Sequence, residues 1–377
     1  MDRIPPLSDR ASDALDDGAR IEYLEVHDER TNGVSPDPDY VSLAVAENKL
    51  MWDILDRKVN AERDVPHSAL GYGDWQGNLE FRQALAEFVG EHLHAHPVDP
   101  ETIQVMAGAG PLVESLTWAV CDPGSGVLIP TPSYAGYWFD IGARTGAIPV
   151  PAHTTSDGDF RITPDVLEVA ARNSEVPIRM LLLTNPSNPL GRVLTDDEIH
   201  DAVDWARGRG IHVAINEIYG LSTFGTTPFR SAASLGYAGQ QDVHLMWAFS
   251  KDFSASGLRC GVLVAANERV RQAVGGFGYF HGVSGDTQHL LTTMITDAAW
   301  VDLYLSTMRG RLSASSAMAR EILGEAGVPT IEPDAGMFFL ADLRPFMDDV
   351  TWDAEARVWR AILDGANVNL TPGSACH

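Results

Sequence analysis

Short apolar runs alternate with stretches of helical periodicity along most of the chain. Ile103-Gln104-Val105-Met106, Val127-Leu128-Ile129, Arg179-Met180-Leu181-Leu182-Leu183, Ile211-His212-Val213-Ala214-Ile215 and Val243-His244-Leu245-Met246-Trp247 each read as a strand. Between them, Phe81, Leu85, Phe88 and Leu93 recur at roughly helical spacing, and Thr195 with Glu198 forms a capping-box signature for a further helix. This alternation predicts an α/β domain whose parallel sheet is covered on both faces. Ligands of such sheets sit beyond the carboxyl ends of the strands. The polar and Gly-rich loops lie there: Ala107–Pro111, Pro130–Tyr137, Thr184–Gly191, Asn216–Tyr219 and Ala248–Gly261.

The flanks differ from this pattern. Residues 1–40 are acidic and rich in Asp, Pro and Gly, with Tyr23-Leu24 as their apolar anchor, and read as an N-terminal arm. Residues 41–284 read as the large domain, opening with a short strand that runs into a helix around Trp52. From 285 a long helical stretch passes through Met308 and Met318, followed by Ala335–Arg344 and a last helix around Trp352 to Leu363. Residues 285–377 therefore read as a smaller α+β domain, joined by the arm.

Candidate chemistry sits in the loop after Trp247. The chain has three lysines, Lys49, Lys58 and Lys251, and the first two lie in or beside a short helix-like stretch. Lys251 is thus the candidate for amine chemistry, such as a Schiff base with an aldehyde cofactor, although a solvent-facing loop lysine has the same local pattern. The Ala107–Pro111 turn places a proline in a first helical turn, and that helix end offers N–H groups to a phosphate. A formal net charge of −25 argues against nucleic-acid or anionic-membrane partners. No apolar run reaches the roughly 18 residues of a membrane span, and the N-terminus lacks signal-peptide features. Cys121, Cys260 and Cys376 are far apart and fit a reducing cytoplasm.

These loops resemble those of fold-type I pyridoxal 5'-phosphate (PLP) enzymes of the aminotransferase superfamily, and within it the 1-aminocyclopropane-1-carboxylate (ACC) synthase branch. The resemblance runs from about Tyr40 to the C-terminus. Asn185-Pro186-Ser187-Asn188-Pro189-Leu190-Gly191 and Ser250-Lys251 carry it for the superfamily; Thr287-Gln288-His289-Leu290-Leu291 and Asp342-Leu343-Arg344 lean toward the branch. It implies PLP as cofactor and a homodimer with shared active sites. By position, Lys251 would form the Schiff base and shuttle the α-proton. Tyr134 would stack on the ring, and Asn188 and Tyr219 would bond its phenolic oxygen. Arg259, Ser250 and the Ala109-Gly110 backbone would hold the phosphate, and Glu47 would open the substrate pocket, to which Tyr134 and Asn188 also contribute.

The sequence departs from the family at several positions. Asn216 replaces the aspartate that pairs with the ring nitrogen, and an amide cannot stabilise the charge of a protonated ring as a carboxylate does. Trp75 replaces a tyrosine that reaches the neighbouring subunit's cofactor, Ala248 a phosphate-side serine, and Lys49 a glutamine. The family's arginine for the substrate α-carboxylate is expected a short way beyond His377. The resemblance implies S-adenosylmethionine as substrate, with methylthioadenosine lost from Cγ and the four-carbon remainder closing to ACC or persisting as a vinylglycine-type species for C–C bond formation. The alternative is an aminotransferase of a neutral or aromatic amino acid, and a third reading is a cofactor-poor binding protein.

Overall fold

The computed structural model describes residues 7–16 and 21–377. Nine strands are assigned among the described residues: β1 Val41–Ser42, β2 Ile103–Met106, β3 Gly126–Thr131, β4 Ile148–His153, β5 Ile178–Thr184, β6 His212–Asn216, β7 Val243–Ala248, β8 Gly261–Ala265 and β9 Val368–Asn369. Seven form one sheet in the order β2-β8-β7-β6-β5-β3-β4. All pairings from β7 to β4 are parallel, and β8 runs antiparallel to both neighbours. The expected α/β class with a mostly parallel sheet is what forms.

Period-2 alternation within the strands builds two cores, one on each face of the sheet. Leu181, Leu183, Val213, Ile215 and Leu245 pack with Ile199, Val203 and Trp205 of the helix Asp196–Arg207. Met180, Leu182, Ala214 and Met246 pack on the other side with Leu112 and Leu116 of the helix Ala109–Val120. Every one of these residues is buried, as a sheet covered on both faces requires. The capping box forms as its spacing indicates: Thr195 Oγ1 accepts from the Glu198 amide, and Glu198 Oε2 accepts from the Thr195 amide.

A third core decides where the larger unit ends. Leu290, Leu291 and Met294 of the helix Gly285–Thr296 join it, as do Val301, Tyr304 and Met308 of the helix Ala298–Glu325. They share it with Phe81, Leu85, Trp247, Phe249 and Phe253. Phe253 stacks on Tyr304 with centroids 5.2 Å apart and planes 10° from parallel, a contact worth about 1 kcal/mol beyond its buried area. The larger unit accordingly runs from Glu47 to Asp342, and the division expected at 285 falls inside it. Helical periodicity marks an apolar face without saying which core receives it.

The smaller unit comprises the described residues through Ala46 together with Leu343–His377. Within it β1 pairs in parallel with β9, Val41 opposite Val368. Asn369, fully buried, donates to the Tyr23 carbonyl at 2.7 Å and to the Tyr40 hydroxyl at 2.8 Å. Tyr23 is thus an anchor of this unit, as its isolated apolar position indicates.

Candidate active site

β7 is buried throughout and ends at Ala248 in the turn Phe249–Asp252 that carries Lys251. The neighbouring Asp252 fixes this turn from below. Its carboxylate accepts from the Leu221 amide at 3.0 Å, the Trp247 indole at 2.8 Å and the Ser222 hydroxyl. Burial pushes the Asp252 carboxyl up to about 6, against those three donors. Lys251 lies on the other side of the turn, against a cavity of about 440 Å³. Burial lowers its ammonium to about 8, with Glu47 opposing and Arg259 adding to the shift. An amine so poised is neutral in an appreciable fraction near physiological pH, as a nucleophile or proton acceptor must be.

Eight other candidate residues line the same cavity: Ala109, Gly110, Tyr134, Asn188, Asn216, Tyr219, Ser250 and Arg259. At one end lies a cradle for an anion. Gly108 has φ +107°, and a Cβ there would stand 2.5 Å from an Arg259 guanidinium nitrogen, so this position takes glycine for two reasons. Arg259 is held over it by bonds to the Ser256 carbonyl at 2.9 Å and the Ala107 carbonyl at 3.2 Å. The helix Ala109–Val120 starts immediately after Gly108, and its first N–H groups have no partner within the helix. A guanidinium, a helix start and the Ser250 hydroxyl suit a phosphate.

Uncharged polar groups form another part of the lining. Asn188 donates to the Tyr219 hydroxyl at 3.0 Å, and burial raises the Tyr219 phenol well above its ordinary value. Tyr219 is held edge-on by Phe338, with centroids 4.9 Å apart. Tyr134, which lines the cavity, meets Tyr137 edge-on at 5.3 Å. Together these groups can take a flat ring bearing an aldehyde, a hydroxyl and a phosphate, with Lys251 against the aldehyde.

Two candidates stand apart from the lining. Glu47 touches it at second hand, its carboxylate accepting from the Ser256 hydroxyl at 2.8 Å while Lys49 lies 3.7 Å from the other oxygen. Trp75 packs its ring against Tyr279 at 5.2 Å and Tyr72 at 5.9 Å. Its carbonyl is held by the Gln104 amide, and the turn closes with the Gly77 amide on the Asp74 carbonyl, which keeps the indole in that exposed aromatic group.

The structure also brings in residues that sequence reasoning passed over. Tyr137 and Thr184 line the cavity, and both belonged to loops already noted at strand ends. Asp140 lines it as well, and burial with the nearby Glu114 pushes its carboxyl up to about 6 against the pull of Arg259. For Asp140 the signal was its place three residues after Tyr137 on the helix Tyr137–Thr145, a spacing that puts the two on one face.

The family model for aminotransferase class I and II matches residues 38–377. The chain is 34% identical over 356 residues to 1-aminocyclopropane-1-carboxylate synthase 6 of Arabidopsis thaliana, covering 89% of this chain and 72% of that protein. It is 33% identical over 368 residues to 1-aminocyclopropane-1-carboxylate synthase-like protein 1 of Mus musculus, covering 93% and 72%. Among solved structures, a double mutant of Thermus thermophilus aspartate aminotransferase superposes with a TM-score of 0.81 at 20% identity, covering 99% of this chain and 93% of that one. The aromatic aminotransferase of Pyrococcus horikoshii OT3 gives 0.76 at 23%, covering 92% and 90%. At such identities the solved structures speak to the fold alone.

Proposed function

We propose that this chain, which belongs to the aminotransferase class I and II family and is a PLP-dependent enzyme of it, acts on S-adenosylmethionine. When bound, PLP supplies an aldehyde for an amino group and a ring that draws electrons from the bonds at Cα. Arg259, Ser250 and the Ala109 and Gly110 backbone would hold its phosphate. Tyr134 would pack on the ring, Asn188 and Tyr219 would bond its phenolic oxygen, and Asn216 would face its nitrogen. Glu47, tied to Ser256 of the cavity wall, lies on the substrate side. Lys251 Nζ receives the α-proton of the substrate. The Cγ–S bond then breaks with its electron pair leaving on sulfur, so that methylthioadenosine departs neutral. Closure of Cα onto Cγ gives ACC; otherwise the four-carbon fragment remains for C–C bond formation.

The observation that carries this choice is the amide at position 216. Transamination needs negative charge held near Cα until a proton arrives elsewhere, and a neutral partner at the ring nitrogen supports that charge poorly. A sulfonium leaving group relieves the same charge by taking the electron pair away. The relatives at about one-third identity are named for the synthesis of ACC or for likeness to it, which supports ACC as the product. An exposed cluster of Tyr72, Trp75, Tyr279 and Phe280 supports the homodimer, and three buried free cysteines support a reducing, cytoplasmic setting.

Incubation of PLP-loaded protein with S-adenosylmethionine alone, read by mass spectrometry, tests the proposal. Methylthioadenosine with ACC is the expected pair. Methylthioadenosine without ACC identifies the fragment as the substrate of a second step. Absence of both, together with amino-group transfer from an aromatic or neutral amino acid to a keto acid, overturns the proposal in favour of an aminotransferase.

A further inference from the structure

The amide of Asn216 is held from two sides. Its nitrogen donates to the Tyr137 hydroxyl at 2.9 Å, and its oxygen accepts from the Ile218 amide at 3.2 Å. The Tyr137 hydroxyl in turn lies 2.8 Å from Thr184 Oγ1. Sheet register makes this possible: Thr184 ends β5 directly opposite Asn216 at the end of β6, and Tyr137, at the start of the helix Tyr137–Thr145, reaches both. Tyr137 and Asn216 are buried, and all three side chains line the cavity.

One member of this set fixes the others. A hydroxyl can donate or accept, so Tyr137 and Thr184 would tolerate the amide either way round. The backbone N–H of Ile218 can only donate. Turning the amide over would set its NH₂ against that N–H and leave two buried donors facing one another. The nitrogen therefore stays on the Tyr137 side, and its second N–H is the donor that Asn216 retains for the cavity. A donor pairs with a lone pair, hence with a ring nitrogen that carries no proton. No carboxylate belongs to the set. The charged group whose field reaches Tyr137 is Asp140, on the same helix, which Arg259 also faces.

Resting on the cofactor reading above, we infer that the Ile218 N–H fixes which way the Asn216 amide lies, and that Tyr137, braced by Thr184, is a positioning residue that takes its first N–H and aims the second at the cofactor, so that the ring nitrogen of PLP is held unprotonated. The ring is thereby kept a weak electron acceptor by construction rather than by the loss of one carboxylate alone.

The test uses the holoenzyme loaded with PLP carrying ¹⁵N in its ring, with the ¹⁵N resonance recorded at neutral pH. The wild-type resonance is expected at the position of a neutral pyridine, and Asn216→Asp is expected to move it to the pyridinium position. Tyr137→Phe is expected to shift or split the resonance toward that position, because the amide loses the acceptor for its first N–H. Thr184→Ser is expected to leave the resonance in place and Thr184→Val to move it, a pair that keeps the question answerable if Tyr137→Phe does not fold. A pyridinium resonance from bound cofactor in the wild type overturns the inference alone. An unmoved resonance in both Tyr137→Phe and Thr184→Val removes the positioning role. Absence of any bound-cofactor signal, with no visible absorption lost in Lys251→Ala, overturns the cofactor reading and the inference with it.

Discussion

Asn216 and Glu217 are neighbours at one strand end, both buried, and their side chains belong to opposite faces. Asn216 meets Tyr137 and the cavity. Glu217 meets the core, accepting from the Ser231 hydroxyl at 2.7 Å and the Ala232 amide at 2.9 Å, with His94 Nε2 3.7 Å away. Burial pushes the Glu217 carboxyl up to about 7 and holds the His94 imidazole down to about 3. The chain therefore tolerates a buried carboxyl one residue from the cavity, where fixed donors satisfy it. The amide at 216 is a property of the cavity face and not a consequence of burial. Residues on the cavity face should govern chemistry with little effect on stability, and those on the core face the reverse.

The largest expected break in that contrast is Lys251→Ala. It removes the amine while leaving the core intact, so activity should fall by about 10⁴-fold with an unchanged circular dichroism spectrum; a fall of under tenfold would show that the proton moves elsewhere. Glu217→Ala should do the opposite. It strands the Ser231 and Ala232 donors and opens a small cavity, costing about 3–4 kcal/mol in urea unfolding, and the cavity-face spectrum of bound PLP should survive in the folded fraction. Glu217→Gln, keeping the shape and one acceptor, should cost less.

pH sharpens the same contrast. Because the folded Glu217 carboxyl is raised from 4.5 to about 7, folding takes up a proton there. Its contribution is fully favourable below pH 4.5 and is lost as pH rises through about 7, a swing of about 3 kcal/mol. The stability difference between the wild type and Glu217→Gln should therefore move against the wild type across that window; a constant difference would show that Glu217 folds ionised. The smallest effect expected is that of Arg259→Ala. The Ser250 hydroxyl and the start of the helix Ala109–Val120 remain, so the dissociation constant for PLP should rise by about 10- to 100-fold. A change under threefold would place the phosphate elsewhere.

Much of this was legible along the chain because its signals are local. Leu181 and Leu183 alternate with Met180 and Leu182 whatever lies around them, and Thr195 caps its helix with Glu198 from three residues away. Loops at strand ends follow from the same pattern, which is how nine of the candidate residues came to line one cavity. The reading was weaker where a residue's partner is distant. Trp75 carries no local mark of the aromatic group formed with Tyr279, and the helices after 285 carry none of the core they share with Phe81 and Phe249.

The sequence by itself determined the alternation of strands and helices, the loops that carry chemistry and the substitution of an amide at position 216. Only the tertiary structure decided what that amide does. How Asn216 presents its N–H groups depends on the Ile218 N–H that fixes its oxygen, on the Tyr137 hydroxyl 79 residues away in sequence, and on a register that sets Thr184 opposite it. Hydrogen bonds need their partners within about 3 Å, and residues so far apart along the chain come that close only when the sheet has formed.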